Sequence, residues 1–160
     1  MAVQLKVHWK TKTVNIVEYH LDLNHNVNQH ILELDAGGVG NIGQRPGGIH
    51  SNWLRGTMPH YTIGVEVTTQ QGKRTMAWDS WYTHQGFIAT REVYGNGAVF
   101  LTYPCPQELV RWSAIVHRWD HHRYDLQSWL EQLEPGNKII SVDTFVATGG
   151  NLDNITLTSN

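Results

Sequence analysis

Strict alternation of apolar and other residues predicts a β-strand at His60–Thr69. Every odd-numbered position from Tyr61 to Val67 is apolar, and polar residues or glycine stand between them. Period-two alternation places successive side chains on opposite faces of a sheet. We therefore predict one buried and one solvent-exposed face, and the turn-forming residues 70–73 predict that the chain returns through Arg74–Trp81 as an antiparallel partner.

Similar alternation, punctuated by glycine, asparagine and proline, predicts most of the remaining chain to be β-structure. A polar stretch at Asn24–Asn28 and a long glycine-rich loop at Asp35–Gly48 separate the early strands. The predicted pairs and single strands are Val3–Trp9 with Val14–Leu23, His30–Leu34, Phe87–Tyr94 with Ala98–Tyr103 around an Asn-Gly turn, Lys138–Ala147 and Asn154–Thr158.

One segment has a clear helical period. Pro135-Gly136 ends this segment, and its apolar residues stand at i, i+3, i+4 and i+7: Leu126, Trp129, Leu130 and Leu133. Residues 107–119 fit a helical stripe and a strand equally well, so both remain open. Many short strands with few helices predict one domain over residues 1–160, an antiparallel β-sandwich with one or two short helices packed on it.

Charge and length exclude several classes of partner. The formal net charge is -2, and no basic cluster is present, so we do not expect nucleic acid as a partner. No apolar stretch approaches the roughly 20 residues of a membrane span, and Met1–Lys6 does not resemble a signal peptide. We expect a protein that is cytoplasmic or released without a signal peptide.

Seven tryptophans and six tyrosines are many for 160 residues. Such rings either fill a core or offer an amphipathic surface to a sugar or a lipid headgroup. Period two places Trp78 and Trp81 on opposite faces of their strand, so we predict that at least one large ring of the run Trp78–Tyr82 meets solvent or a ligand.

Cys105 is the single cysteine, so the chain has no internal disulfide. If a helix begins after it, the helix dipole would stabilise a thiolate, and His60 at the start of its strand could accept the proton. A small cysteine hydrolase that uses Cys105 and His60 is therefore one alternative. The other reading is a buried, inert thiol in a proline-flanked turn.

Two further groups of residues could bind small ligands. His117, Asp120, His121 and His122 form the densest group of potential metal ligands. On a helix, His117 and His121 would have the i, i+4 spacing that chelates zinc, although a third ligand is unassigned and a hydrated corner explains all four residues. The glycines of residues 37–43 could form an anion nest or, more in keeping with their composition, a surface loop. We expect neither a metal nor another cofactor.

Several short stretches of the chain together carry a resemblance to a known superfamily: Tyr61–Val67, Gly72-Lys73, Ala77, Trp81-Tyr82, Gly86, Gly95-Asn96, Ala98–Phe100, Arg111-Trp112, Ile115-Val116, Val146-Ala147, Gly149 and Asn151-Leu152. These stretches resemble the actinoporin-like cytolysins and the related fungal fruit-body lectins. This resemblance implies a β-sandwich that binds a phosphocholine headgroup or a glycan. The site residues that it implies are Trp81, Tyr82, Arg111 and Trp112, with Tyr124 as a looser match.

The resemblance also implies a toxin-like, pore-forming activity. Pore-forming members insert an N-terminal amphipathic helix, whereas residues 1–23 here predict a hairpin. The leading hypothesis is therefore a non-enzymatic protein that binds membrane lipid headgroups or glycans through an aromatic-rich surface. Besides the cysteine hydrolase, the alternative is a structural or assembly protein that forms a homo-oligomer.

Overall fold

The computed structural model describes residues 3–9, 15–37, 62–79, 86, 88–105, 119–148 and 151–159. These ranges contain ten strands and one helix: β1 (Val3–Trp9), β2 (Asn15–Asn26), β3 (Ile31–Gly37), β4 (Thr62–Thr69), β5 (Gly72–Asp79), β6 (Thr90–Val93), β7 (Val99–Pro104), β8 (Trp119–Asp125), α1 (Leu126–Leu133), β9 (Ile139–Thr148) and β10 (Asn151–Thr158).

The strands form two sheets that pack together, which confirms the predicted β-sandwich with a short helix. The larger sheet has the order β1-β2-β9-β4-β5-β7-β6, and the smaller has the order β10-β3-β8. All neighbouring strands of the described sheets are antiparallel except β5 and β7. The closing strands β9 and β10 follow each other in the chain but belong to different sheets.

An aromatic cluster fills the core between the sheets. The Trp78 ring stacks on Tyr124 at 4.2 Å and on Tyr103 at 5.7 Å between ring centroids, and Trp129 meets Trp78 edge-on at 5.8 Å. Trp78, Tyr103 and Tyr124 are fully buried. Stacked and edge-on geometries are favourable beyond the area that they bury, so these rings hold the two sheets and α1 together.

The prediction for β4 is half right. Ile63, Val65 and Val67 are fully buried and Glu66 is exposed, as the alternation predicts. The prediction of a solvent-exposed second face is wrong at Thr62 and Gly64, which are buried as well. Because β4 lies in the middle of the larger sheet, Thr62 meets a neighbouring strand and donates a 3.1 Å hydrogen bond to the buried Asp79 carboxylate of β5.

The predicted hairpins are confirmed, including the N-terminal pair β1 and β2 and the pair β6 and β7. Gly97 has a φ of 82°, which explains a glycine in the second of these turns. The predicted loop at Asp35–Gly48 begins too early, because residues 35–37 belong to β3. They are paired on both sides, by β10 and by β8, and this pairing does not need apolar side chains. The rest of that loop lies outside the described residues.

Helix α1 spans the predicted residues and is capped at both ends. The Asp125 carboxylate accepts a 3.1 Å hydrogen bond from the Ser128 amide, as an N-cap does, and the Glu134 amide closes the C-terminal end on Leu130. Leu126 and Leu130 face the core. No helix in the described ranges is long and apolar enough to cross a membrane. The ambiguous segment 107–119 lies outside those ranges except for its last residue, which begins β8.

Candidate ligand-binding cleft

Most of the predicted site residues lie outside the described part of the chain: Trp81, Tyr82, Arg111, Trp112, His60 and His117. Tyr124 is described, and it lies in the core. Its ring is fully buried against Trp78, and its hydroxyl lies 2.8 Å from His122 Nδ1. A ring in this position stabilises the sandwich and has no face open to a ligand from solvent.

Cys105 follows β7 and is 1% exposed. Burial raises the pKa of its thiol well above 9.0, the nearby Asp79 carboxylate raises it further, and a hydrogen bond with Tyr124 offsets part of this. A nucleophilic cysteine needs the opposite shift, toward a thiolate at neutral pH. The environment of Cys105 therefore matches the buried, inert thiol and opposes the hydrolase alternative.

The two described histidines of the proposed metal group lie on a strand. His121 is exposed and its Nδ1 lies 2.9 Å from Asp35 Oδ1, whereas His122 is buried and desolvation lowers its pKa to about 4. Because β8 already begins at Trp119, the helical i, i+4 spacing between residues 117 and 121 does not apply. Within the described residues, no group of three or more His, Cys, Asp or Glu side chains could hold a metal ion.

The described residues do form a cleft between β2 and β10, with a volume of about 320 Å³. Polar side chains line its rim: Asp22, Asn24, Asn26, Gln29 and Thr156. Aliphatic side chains line its floor: Leu23, Leu32, Ile155 and Leu157. Leu32 is fully buried and the other three pack against the core, so the cleft is a place where the core reaches the surface.

An excursion of β2 builds one wall of this cleft. β2 pairs with β9 up to Asp22 and again at Asn26, so three residues of β2 stand opposite a single residue of β9. Asn24 and His25 take left-handed φ angles of 54° and 50°. Asparagine and histidine adopt this conformation more readily than most residues. The Asp22 carboxylate supports the turn by accepting a 2.8 Å hydrogen bond from the Asn24 amide.

Asn26 shapes the turn that follows. Its Oδ1 accepts hydrogen bonds from the amides of Asn28 and Gln29, each at 3.0 Å, and its Nδ2 donates to Gln29 Oε1 at 2.7 Å. Among the described residues, these bonds leave Asp22 Oδ2, the Asn24 side-chain amide and Gln29 Nε2 without a partner. The rim can therefore offer both hydrogen-bond acceptors and donors to a ligand.

A β-bulge in β10 builds the opposite wall. The pairing of β10 with β3 shifts between Asp153 and Thr156, and Asn154 has a left-handed φ of 51°. Asn154 Nδ2 donates a 2.7 Å hydrogen bond to Asp35 Oδ2, which fixes the bulge to β3. Bulges re-aim the side chains next to them. Here Ile155 packs against the core and lines the cleft.

The rim is weakly anionic. Asp22 is the single charged side chain among the described lining residues, and none of them is a lysine or an arginine.

The β2 excursion also contacts a second carboxylate, that of Asp143 in β9. His25 Nδ1 lies 2.7 Å from Asp143 Oδ1, and Asp143 also accepts hydrogen bonds from Ser141 at 2.6 Å and Thr68 at 2.7 Å. Burial alone raises the pKa of Asp143, but these hydrogen bonds outweigh it, so the net pKa is lowered from 3.8.

The sequence predicts none of the cleft residues as a site. The available signal was the polar run Asn24–Asn28, whose three asparagines suit left-handed and side-chain-capped turns. That signal indicates a turn without indicating what the turn encloses. The chain matches no protein-family model and no curated protein with significant similarity. The resemblance to the cytolysins and fruit-body lectins therefore stays a prediction.

Proposed function

We propose that this protein is a non-enzymatic binding protein whose cleft between β2 and β10 holds a neutral, polyhydroxylated ligand. The ligand class is a glycan, either free or as the headgroup of a glycolipid. The observation that carries the proposal is a rim above an aliphatic floor, in which Asp22 Oδ2, the Asn24 side-chain amide and Gln29 Nε2 have no partner among the described residues. Small-molecule sites generally combine apolar walls with a few convergent polar groups, and a sugar has an apolar C–H face and a polar edge to match.

The chemistry of the rim favours hydroxyl groups. A carboxylate such as Asp22 accepts strong, charge-assisted hydrogen bonds from hydroxyls, and the side-chain amides of Asn24 and Gln29 donate to hydroxyl oxygens. A phosphate or carboxylate ligand would meet the charge of Asp22 without a cation among the described lining residues. The cleft therefore favours a neutral sugar over a phosphate-bearing headgroup.

The cleft gives little support to catalysis. Asp22 is the one titratable group among the described lining residues, whereas acid–base chemistry on a sugar generally uses a pair of carboxyl groups. Trp81, Tyr82, Arg111 and Trp112 remain the candidates for a separate headgroup surface, and the same experiment can test them.

The test is binding to an array of soluble glycans, with vesicles measured alongside. We expect wild-type protein to bind at least one neutral glycan, and Asp22→Asn to weaken that affinity about tenfold, because a neutral amide replaces a charged acceptor. Glu92→Gln is the matched control: it removes one negative charge from β6 at the far edge of the larger sheet and should leave the affinity unchanged.

Binding to vesicles of different composition shows which kind of lipid, if any, carries the ligand. Vesicles of phosphatidylcholine and sphingomyelin, with and without galactosylceramide, distinguish a glycolipid from a phospholipid. Binding to phospholipid alone, lost in Trp81→Ala or Trp112→Ala, would replace the cleft proposal with the aromatic headgroup surface, and dye release would add pore formation. Absence of binding to every glycan and glycolipid would contradict the proposal.

A further inference from the structure

The wall of the cleft is held in an unfavourable backbone conformation. Asn24 and His25 are consecutive non-glycine residues with positive φ, in a strand that pairs regularly up to Asp22 and again at its last residue, Asn26. Left-handed conformations in such residues persist when the surrounding structure enforces them, and they cluster at ligand sites. Something must therefore hold this excursion in place.

Irregularities in two neighbouring strands meet at that point. Asp143 of β9 has no register partner in β4, where the pairing passes directly from Thr144 to Val142. β2 makes its three-residue excursion opposite the same residue. A bulge re-aims its side chain, and here the Asp143 carboxylate lies between Thr68 of β4 and His25 of β2.

Among the described residues, Asp143 is the one that forms a polar contact with the His25 side chain. The imidazole side chain is 77% exposed, so burial contributes little, whereas its Nδ1 lies 2.7 Å from a carboxylate whose side chain is 9% exposed. That carboxylate is fixed by two hydroxyl donors, Ser141 and Thr68. An acceptor held so rigidly fixes His25 in turn, with the proton on Nδ1.

We infer that His25 and Asp143 are a positioning pair for the cleft, in which the buried carboxylate anchors the excursion that presents Asn24 and Asn26 to the ligand. The inference rests on the proposed function for its consequence in binding, but the anchoring itself is a property of the free protein. His25 is absent from the lining of the cleft among the described residues, so the pair acts through its neighbours and does not touch the ligand.

Amide hydrogen exchange over residues 24–29 tests the anchor without a ligand. We expect His25→Gly to exchange about tenfold faster than wild type, since glycine takes the left-handed conformation freely but cannot bond to Asp143. His25→Asn should stay within about threefold of wild type, because asparagine tolerates the same conformation and its Nδ2 can replace Nδ1 as the donor.

Thr62→Ala is the matched control. It removes a hydrogen bond from a different buried carboxylate, Asp79, so it should lower Tm while leaving exchange over residues 24–29 within about threefold of wild type. Slow exchange in His25→Gly, or equally fast exchange in Thr62→Ala, would overturn the inference, because the excursion would then hold itself or respond only to general stability.

Affinity for the methyl glycosides of glucose, galactose, mannose and N-acetylglucosamine adds the functional readout. We expect His25→Gly to lose about tenfold in affinity for any glycoside that wild type binds, and His25→Asn to restore it. Fast exchange in His25→Gly together with no glycoside binding by wild type would contradict the proposed ligand while supporting the anchor. Fast exchange with unchanged affinity would overturn the positioning role.

Discussion

Two histidine–aspartate pairs in this sandwich have nearly the same contact and very different surroundings. His25 Nδ1 lies 2.7 Å from Asp143, and His121 Nδ1 lies 2.9 Å from Asp35; both imidazoles are exposed. The Asp143 side chain is 9% exposed and is bonded by two hydroxyls, whereas the Asp35 side chain is 28% exposed and is bonded by the Asn154 amide.

The contrast shows that a short contact does not determine how much the protein depends on it. When a partner of an exposed carboxylate is lost, water replaces it at little cost. When a buried carboxylate is removed, its donors stay buried and unpaired, and this desolvation cost is larger than the net value of the bonds. We therefore expect the protein to depend strongly on Asp143 and weakly on Asp35.

The largest expected effect follows from Asp143→Ala. This change leaves the Ser141 and Thr68 hydroxyls without their acceptor, and Ser141 is itself 6% exposed. We expect the free energy of unfolding to fall by about 3 kcal/mol, or roughly 10 °C in Tm, measured by thermal denaturation at neutral pH. Asp35→Ala is the matched change and should shift Tm by less than about 2 °C. Equal losses in the two variants would contradict the comparison.

A smaller effect is expected from acid. Burial raises the pKa of Asp143, and its hydrogen bonds lower it by more, so the folded protein binds this proton less readily than the unfolded chain does. The stabilisation by Asp143 is thus fully present above the unfolded value of about 3.8 and is lost as the pH falls through the lower folded pKa. The Tm difference between wild type and Asp143→Asn should shrink as the pH falls from about 5 to 2.

Salt should distinguish the two carboxylates. Hydrogen bonds from Asn154 and His121 lower the pKa of Asp35, so its contribution to stability, like that of Asp143, is lost in acid. Because Asp35 lies at the surface, about 1 M NaCl should weaken its contribution while leaving that of the buried Asp143 nearly unchanged. A contribution from Asp143 that disappears in salt would show that its carboxylate is solvated in solution.

The strands and the helix were predictable because they depend on local pattern. Alternation located β4 and its partner, and the spacing of Leu126 and Leu130 located α1. Errors arose where pairing or burial came from elsewhere in the chain. β3 continues through Asp35 because strands on both sides pair with it. Thr62 tolerates burial because the Asp79 carboxylate accepts a hydrogen bond from its hydroxyl.

The cleft could not be predicted from local pattern. Its walls come from segments more than 120 positions apart, Asp22–Gln29 and Ile155–Leu157, and its anchor joins two residues 118 positions apart. The polar run at Asn24–Asn28 predicts a turn, but a turn signal does not reveal that a distant bulge faces it. The number of aromatic residues is compatible with a core and with a binding surface alike, and Trp78, Tyr103 and Tyr124 fill the core.

The most direct test of the binding cleft is a two-dimensional ¹⁵N–¹H NMR titration of wild-type protein with the four methyl glycosides. We expect saturable shifts concentrated at Asp22–Gln29 and Ile155–Leu157, and their loss in Asp22→Asn. Shifts concentrated instead around Trp81 and Trp112, or no saturable shift with any glycoside, would contradict the account.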